Sequence, residues 1–196
     1  MKYYQLSYPR SGANWLRYVA RFMLNIDKNY HLGDDLDDTY TKLHTVHKFS
    51  DVDYNRGLVL ILRDYKECLR SHAPYAHEPL EDQIGLYLQI LATYHQWPSK
   101  KLLIYYEDLI QPHDLWIEQL SKFLTGSIKK AAEFRKNYTQ HLEYSKAECR
   151  KIHDCRSGGD KVDYHQQDID TMLWDDRMMD RCPTLLRRYI NHYCYC

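Results

Sequence analysis

Residues 3–26 read YYQLSYPRSGANWLRYVARFMLNI, and a change of period within them decides the fold. Tyr3–Ser7 is a short β-type run, stopped by Pro9 and Gly12. Beyond the stop, Trp15, Leu16, Val19, Phe22, Met23 and Ile26 recur at helical spacing, so the unit is strand, turn, helix. The same alternation continues downstream. Gly57 precedes LVLIL at 58–62, a continuous apolar run of the kind found in a strand buried on both faces of a parallel sheet. A helix is expected from about Lys66, and another after Pro79, where Ile84, Tyr87, Leu88, Leu91 and Tyr94 share one face. Residues 102–106 form a further buried-strand candidate, and 113–124 a helix closing at Gly126, where a left-handed cap belongs. Residues 33–38 read as an exposed loop before a short strand at 43–47. Beyond about 128 the chain looks mainly helical, interrupted by CRSGGDK at 155–161. Apolar strands alternating with helices predict an α/β fold, a central parallel sheet flanked by helices with a helical C-terminal part. No repeat or linker divides the chain, so residues 1–196 are expected to form a single domain.

Lys plus Arg equals Asp plus Glu at 27 each, which excludes a global basic field for nucleic acid or an anionic membrane. Any anion site must therefore be local. The cysteines (Cys68, Cys149, Cys155, Cys182, Cys194, Cys196) are scattered, and the close pair Cys194 and Cys196 has no second pair to complete a zinc site. They read as unpaired thiols of a reducing compartment, and no metal is expected. The opening MKYYQLSYPR has no apolar signal core, and no apolar run approaches the ~20 residues that span a bilayer. A cytoplasmic protein without membrane partners is the expectation. Nineteen tyrosines spread along the chain predict an aromatic core.

Chemistry concentrates in SYPRSGANWLR, residues 7–17. Unpaired amides in a first helical turn, together with the helix dipole, cradle an anion. Arg10 adds fixed charge, Gly12 permits close backbone approach, and Ser11 and Asn14 offer side-chain hydrogen bonds. The segment lacks the first glycine and the terminal Lys-Ser/Thr of a Walker A loop. Farther along, Arg63 would stand at the carboxyl end of a parallel strand, with Ser71 two helical turns later, so both can reach one phosphate above the sheet.

Residues 7–16 resemble the 5′-phosphosulfate loop of sulfotransferases that use 3′-phosphoadenosine 5′-phosphosulfate (PAPS), whose pattern is close to TYPKSGTTWL. Tyr8, Pro9, Ser11, Gly12, Trp15 and Leu16 match outright; Arg10 stands for the Lys, and Ala13 and Asn14 for the two Thr. Residues 58–72, LVLILRDYKECLRSH, resemble the family's 3′-phosphate motif, with Arg63 and Ser71 at its spacing. LLIYYEDLIQP at 102–112 is similar to the family's strand followed by YEDL and a proline. RSGGD at 156–160 resembles a shortened form of the late RKGxxGDW loop, without its Trp.

What the resemblance implies is a P-loop NTPase-like sulfotransferase fold and PAPS as co-substrate. Arg10, Ser11, Gly12, Ala13, Asn14 and Trp15 would hold its 5′ side, with Trp15 stacked on the adenine and Tyr106 near it. Arg63 and Ser71 would hold the 3′-phosphate, assisted by Arg156, Ser157 and Gly158, while Glu107 and Asp108 brace their loop. The catalytic base corresponds to a histidine in a KTHxP-like context, for which KLHTVHKFSD offers His44 and His47; His47, in TVHKF, is the better match. The reaction would be an in-line sulfuryl transfer to a hydroxyl or amine on a small-molecule, glycan or peptide acceptor. Arg10 keeps the charge of the family's Lys but cannot donate a proton. His72, Tyr75 and His77 read first as part of a solvated loop, with the lining of an acceptor pocket as the alternative. Two rivals stay open: a P-loop nucleotide kinase or NTPase, and an inactive nucleotide-binding protein of the same fold.

Overall fold

The computed structural model describes residues 2–26, 40–43, 52–72, 80–111 and 114–154. In chain order the elements are β1 (Tyr3–Ser7), α1 (Ala13–Met23), β2 (Tyr40–Lys42), β3 (Gly57–Leu62), α2 (Tyr65–His72), α3 (Leu80–Gln96), β4 (Lys101–Tyr105), the single turn α4 (Tyr106–Leu109), α5 (Asp114–Thr125), α6 (Lys129–Lys136) and α7 (Tyr138–Asp154). The strands make one four-stranded sheet in the order β2-β1-β3-β4, and every pairing is parallel. An α/β fold with a parallel sheet flanked by helices is therefore what the chain adopts.

Every residue of β1 and β3 is buried, as the continuous apolar run at 58–62 requires. Alternation then sorts the side chains onto two layers. Tyr4, Leu6, Tyr8, Leu58, Leu60 and Leu62 face α2 and α3, and meet Tyr65, Leu69, Tyr87 and Leu91. On the opposite face Tyr3, Val59, Ile61 and Ile104 meet Leu16 and Val19 of α1, Ile117 and Leu120 of α5, and Phe134 of α6. Burying tyrosines requires partners for their hydroxyls. Tyr3 donates to the Leu124 carbonyl at 2.7 Å, and Tyr8 to Gln83 Oε1 at 2.6 Å. Cys68 is a buried free thiol in the α2 layer, and burial pushes it well above the usual thiol range.

Three expectations need correcting. The second strand forms at Tyr40–Lys42, earlier than the expected 43–47, because Tyr40 is buried on the α1 face and pairs opposite Tyr3. Leu43 extends the ladder by one bond, its amide donating to the Gln5 carbonyl at 2.8 Å, and residues 44–47 lie outside the described residues. The fourth strand ends at Tyr105, and Tyr106 opens the α4 turn instead of closing the strand. Finally, among the described residues β4 pairs with β3 alone, and its first half is exposed or half-buried despite its apolar sequence. Gly126 does cap α5 in the left-handed conformation, at φ 75°. Among the described residues no helix is long and apolar enough to cross a membrane.

Parallel pairing puts the carboxyl ends of all four strands on one side. From β1 the chain crosses to β2 on one flank, then passes back over β1 to β3 on the other. Between β1 and β3 the order reverses, and in an open α/β sheet ligands bind in the crevice at that point.

Candidate anion-binding crevice

Two segments meet at the reversal: the turn from β1 to α1, and the end of β3 leading into α2. The turn contains two left-handed residues, Arg10 at φ 67° and Gly12 at φ 86°. A Cβ on Gly12 would stand 2.8 Å from Leu109 Cδ2 and 3.1 Å from Tyr106 Cδ2, so both conformation and space require glycine. Arg10 has no such excuse, and the left-handed state costs a side-chain-bearing residue roughly 1–2 kcal/mol. Its surroundings over-determine it. Arg63 Nη1 donates to the Arg10 carbonyl at 2.6 Å, and Arg10 Nε donates to the Ser71 carbonyl at 3.0 Å. Ser11 is fully buried, and its hydroxyl donates back to the Tyr8 carbonyl at 2.6 Å, which fixes the turn from inside.

The turn delivers the chain into α1 without a side-chain cap at Gly12. The Ser11 amide donates to the Tyr8 carbonyl at 3.4 Å, and among the described residues no backbone carbonyl takes the amides of Gly12, Ala13, Asn14 or Trp15 before the Leu16 amide reaches the Gly12 carbonyl at 3.1 Å. Those amides, the dipole of an eleven-residue helix and two arginines make a concave positive site. Backbone donors following left-handed residues form the same kind of nest that holds phosphates elsewhere.

Arg63 reaches the crevice from β3 with its side chain only 16% exposed. Its guanidinium carbon lies 4.1 Å from the centre of the Tyr106 ring, Nη2 is 3.9 Å from Glu67, and its carbonyl accepts the Tyr87 hydroxyl at 2.7 Å. Glu67 is half exposed and is also held by Arg70. The structure thus brings together Arg10, Gly12, Arg63, Ser71 and Tyr106, residues drawn from three separate segments. His72 sits at the rim with its ring edge-on to Tyr8. The remaining candidates, His44, His47, Arg156, Ser157 and Gly158, lie outside the described residues, as do Tyr75 and His77.

Trp15, expected to stack on the adenine, is anchored by other aromatic rings. Its ring stacks on Tyr18 at 5.7 Å, meets Tyr138 edge-on at 5.8 Å and donates Nε1 to the Leu109 carbonyl at 3.3 Å. It belongs to an aromatic cluster that joins α1 to α6 and α7, and it stays half-buried. In that cluster the Tyr18 hydroxyl bonds His141 Nδ1 at 2.8 Å, and burial, reinforced by Tyr144, raises Tyr18 to about 12.

Sequence reasoning missed Gln83 and Tyr87, which orient Tyr8 and the Arg63 backbone from α3. Helical spacing placed Tyr87 on a buried face and did not single out Gln83, and hydroxyl and amide partners far along the chain leave no local signal. A second concavity, a groove of about 750 Å³ between β4 and α5, is lined by Leu102, Leu103, Leu115, Trp116, Lys122 and Phe123 among others. It includes neither arginine of the crevice. Among the described residues no group of three or more His, Cys, Asp or Glu side chains stands ready for a metal. No protein-family model matches the chain, and no curated protein matches it.

Proposed function

We propose that the chain is a PAPS-dependent sulfotransferase with a P-loop NTPase-like fold. The observation that carries the reading is the direct bond between its two phosphate motifs: Arg63 Nη1 on the Arg10 carbonyl, at the crevice where the sheet order reverses. Motifs 53 residues apart in sequence, read separately for the 5′ and 3′ ends of one nucleotide, share a single site. The turn amides and Arg10 suit a 5′-phosphosulfate, and Arg63 with Ser71 suits the 3′-phosphate. That double anion demand favours a bisphosphorylated adenosine over ATP, since the Walker lysine is missing.

In the reaction the acceptor oxygen or nitrogen attacks sulfur, the bond from sulfur to the 5′-phosphate oxygen breaks in line, and adenosine 3′,5′-bisphosphate leaves with the bonding pair. The acceptor proton passes to His47, with His44 as the alternative base. Arg10 and the turn amides stabilise charge on the transferring group and the departing oxygen, a preorganised electrostatic contribution. Its left-handed backbone, braced by Arg63, holds those donors in place before substrate arrives.

The test has two arms. Saturating adenosine 3′,5′-bisphosphate should raise the melting temperature through ligand linkage, and ATP should not displace it. Labelled sulfate from PAPS should reach an acceptor in a mixed panel of hydroxyl and amine compounds. Tight ATP binding with no bisphosphate shift would move the protein to the kinase class, and binding without transfer would make it an inactive nucleotide binder.

A further inference from the structure

We propose that Tyr106 is a positioning residue that aligns Arg63 for the 3′-phosphate with the face of its ring, a role distinct from contact with adenine. The inference rests on the sulfotransferase reading of the crevice. The Arg63 guanidinium lies 4.1 Å from the ring centre, in a largely desolvated place where a cation–π contact is strongest. A ring face against the guanidinium carbon uses none of its N–H donors, so they stay available for the oxygens of a phosphate. One of those donors already holds the Arg10 carbonyl.

The same ring closes the other side of the turn. Its Cδ2 and Cε2 lie 3.1 and 3.3 Å from where a Gly12 Cβ would stand, so Tyr106 is wedged between the phosphate turn and Arg63. Without the ring, Glu67 at 3.9 Å from Nη2 is free to draw the guanidinium toward α2 and solvent. The strand must end at Tyr105 for this to work, because the α4 turn is what swings Tyr106 beneath Arg63.

Isothermal titration of adenosine 3′,5′-bisphosphate and of AMP, which lacks the 3′-phosphate, separates positioning from base contact. Tyr106→Leu should weaken the bisphosphate about tenfold and leave AMP within about twofold. Tyr106→Phe keeps the π face and should match wild type on both ligands. In an Arg63→Ala background, Tyr106→Leu should cause no further loss. Should Tyr106→Leu lose its cooperative thermal transition, Tyr106→Met fills the volume beside Gly12 without a π face and takes its place. Equal losses on both ligands, a loss in Tyr106→Phe, or an additive loss in the Arg63→Ala background would each overturn the proposal. A wild-type protein that binds neither nucleotide overturns the sulfotransferase reading itself, and that result is visible before any variant is made.

Discussion

The crevice above β1 and β3 and the groove beside β4 are both concave, yet they are built from opposite materials. The crevice is braced, with two arginines, uncapped helix amides and a strained residue held by long-range bonds. The groove, about 750 Å³, is lined by Leu102, Leu103, Leu115 and Phe123 together with Asp108, Gln119 and Lys122. Chemistry distinguishes the crevice, because the amides that open α1 and two arginine side chains converge there, and the groove's lining includes neither arginine.

The largest test of that contrast is Arg10→Ala, which removes both the charge and the Nε bond to Ser71. Transfer from PAPS should fall by about 10²–10³-fold in steady-state assays, as for removal of other preorganised transition-state donors. Turnover within a few-fold of wild type would shift the chemistry away from the crevice. Next comes Gly12→Ala. Its Cβ would collide with Leu109 at 2.8 Å while the backbone keeps φ 86°, so stability should drop by about 1–3 kcal/mol in chemical denaturation, with nucleotide affinity falling alongside. Tyr87→Phe deletes one hydrogen bond to the Arg63 carbonyl and should cost about 1 kcal/mol, visible as a lower denaturation midpoint at unchanged slope. The smallest effect belongs to the groove: Leu115 is 65% exposed, so Leu115→Ser should change stability by no more than about 0.5 kcal/mol and leave bisphosphate binding intact. A large loss of nucleotide binding in Leu115→Ser would show that the groove belongs to the site after all.

Much of the fold was legible because its signals are local. The stop at Pro9 and Gly12 between a β run and a helical period, the unbroken LVLIL, and Gly126 at the end of α5 each depend on neighbours within a few residues. The position of β2 was not legible, since a three-residue strand is chosen by what Tyr3 and the α1 layer accept. Nor was the partial exposure of β4, which has the composition of an interior strand. In the site, Arg10, Gly12, Arg63, Ser71 and Tyr106 could each be named from motifs. The packing around Trp15 was not legible, because the rings that meet it come from α1, α6 and α7, in part more than a hundred residues away.

By itself, the sequence determined which residues bear charge, where glycine is needed and which segments alternate between strand and helix, because period and backbone preference act over a few neighbours. Only the tertiary structure decided that Arg10 adopts a left-handed conformation, that Arg63 lies on Tyr106 and bonds the Arg10 carbonyl, and that the crevice forms between β1 and β3. Those outcomes follow from the crossover of a parallel sheet, which brings distant strand ends to one edge and supplies the contacts that offset local strain.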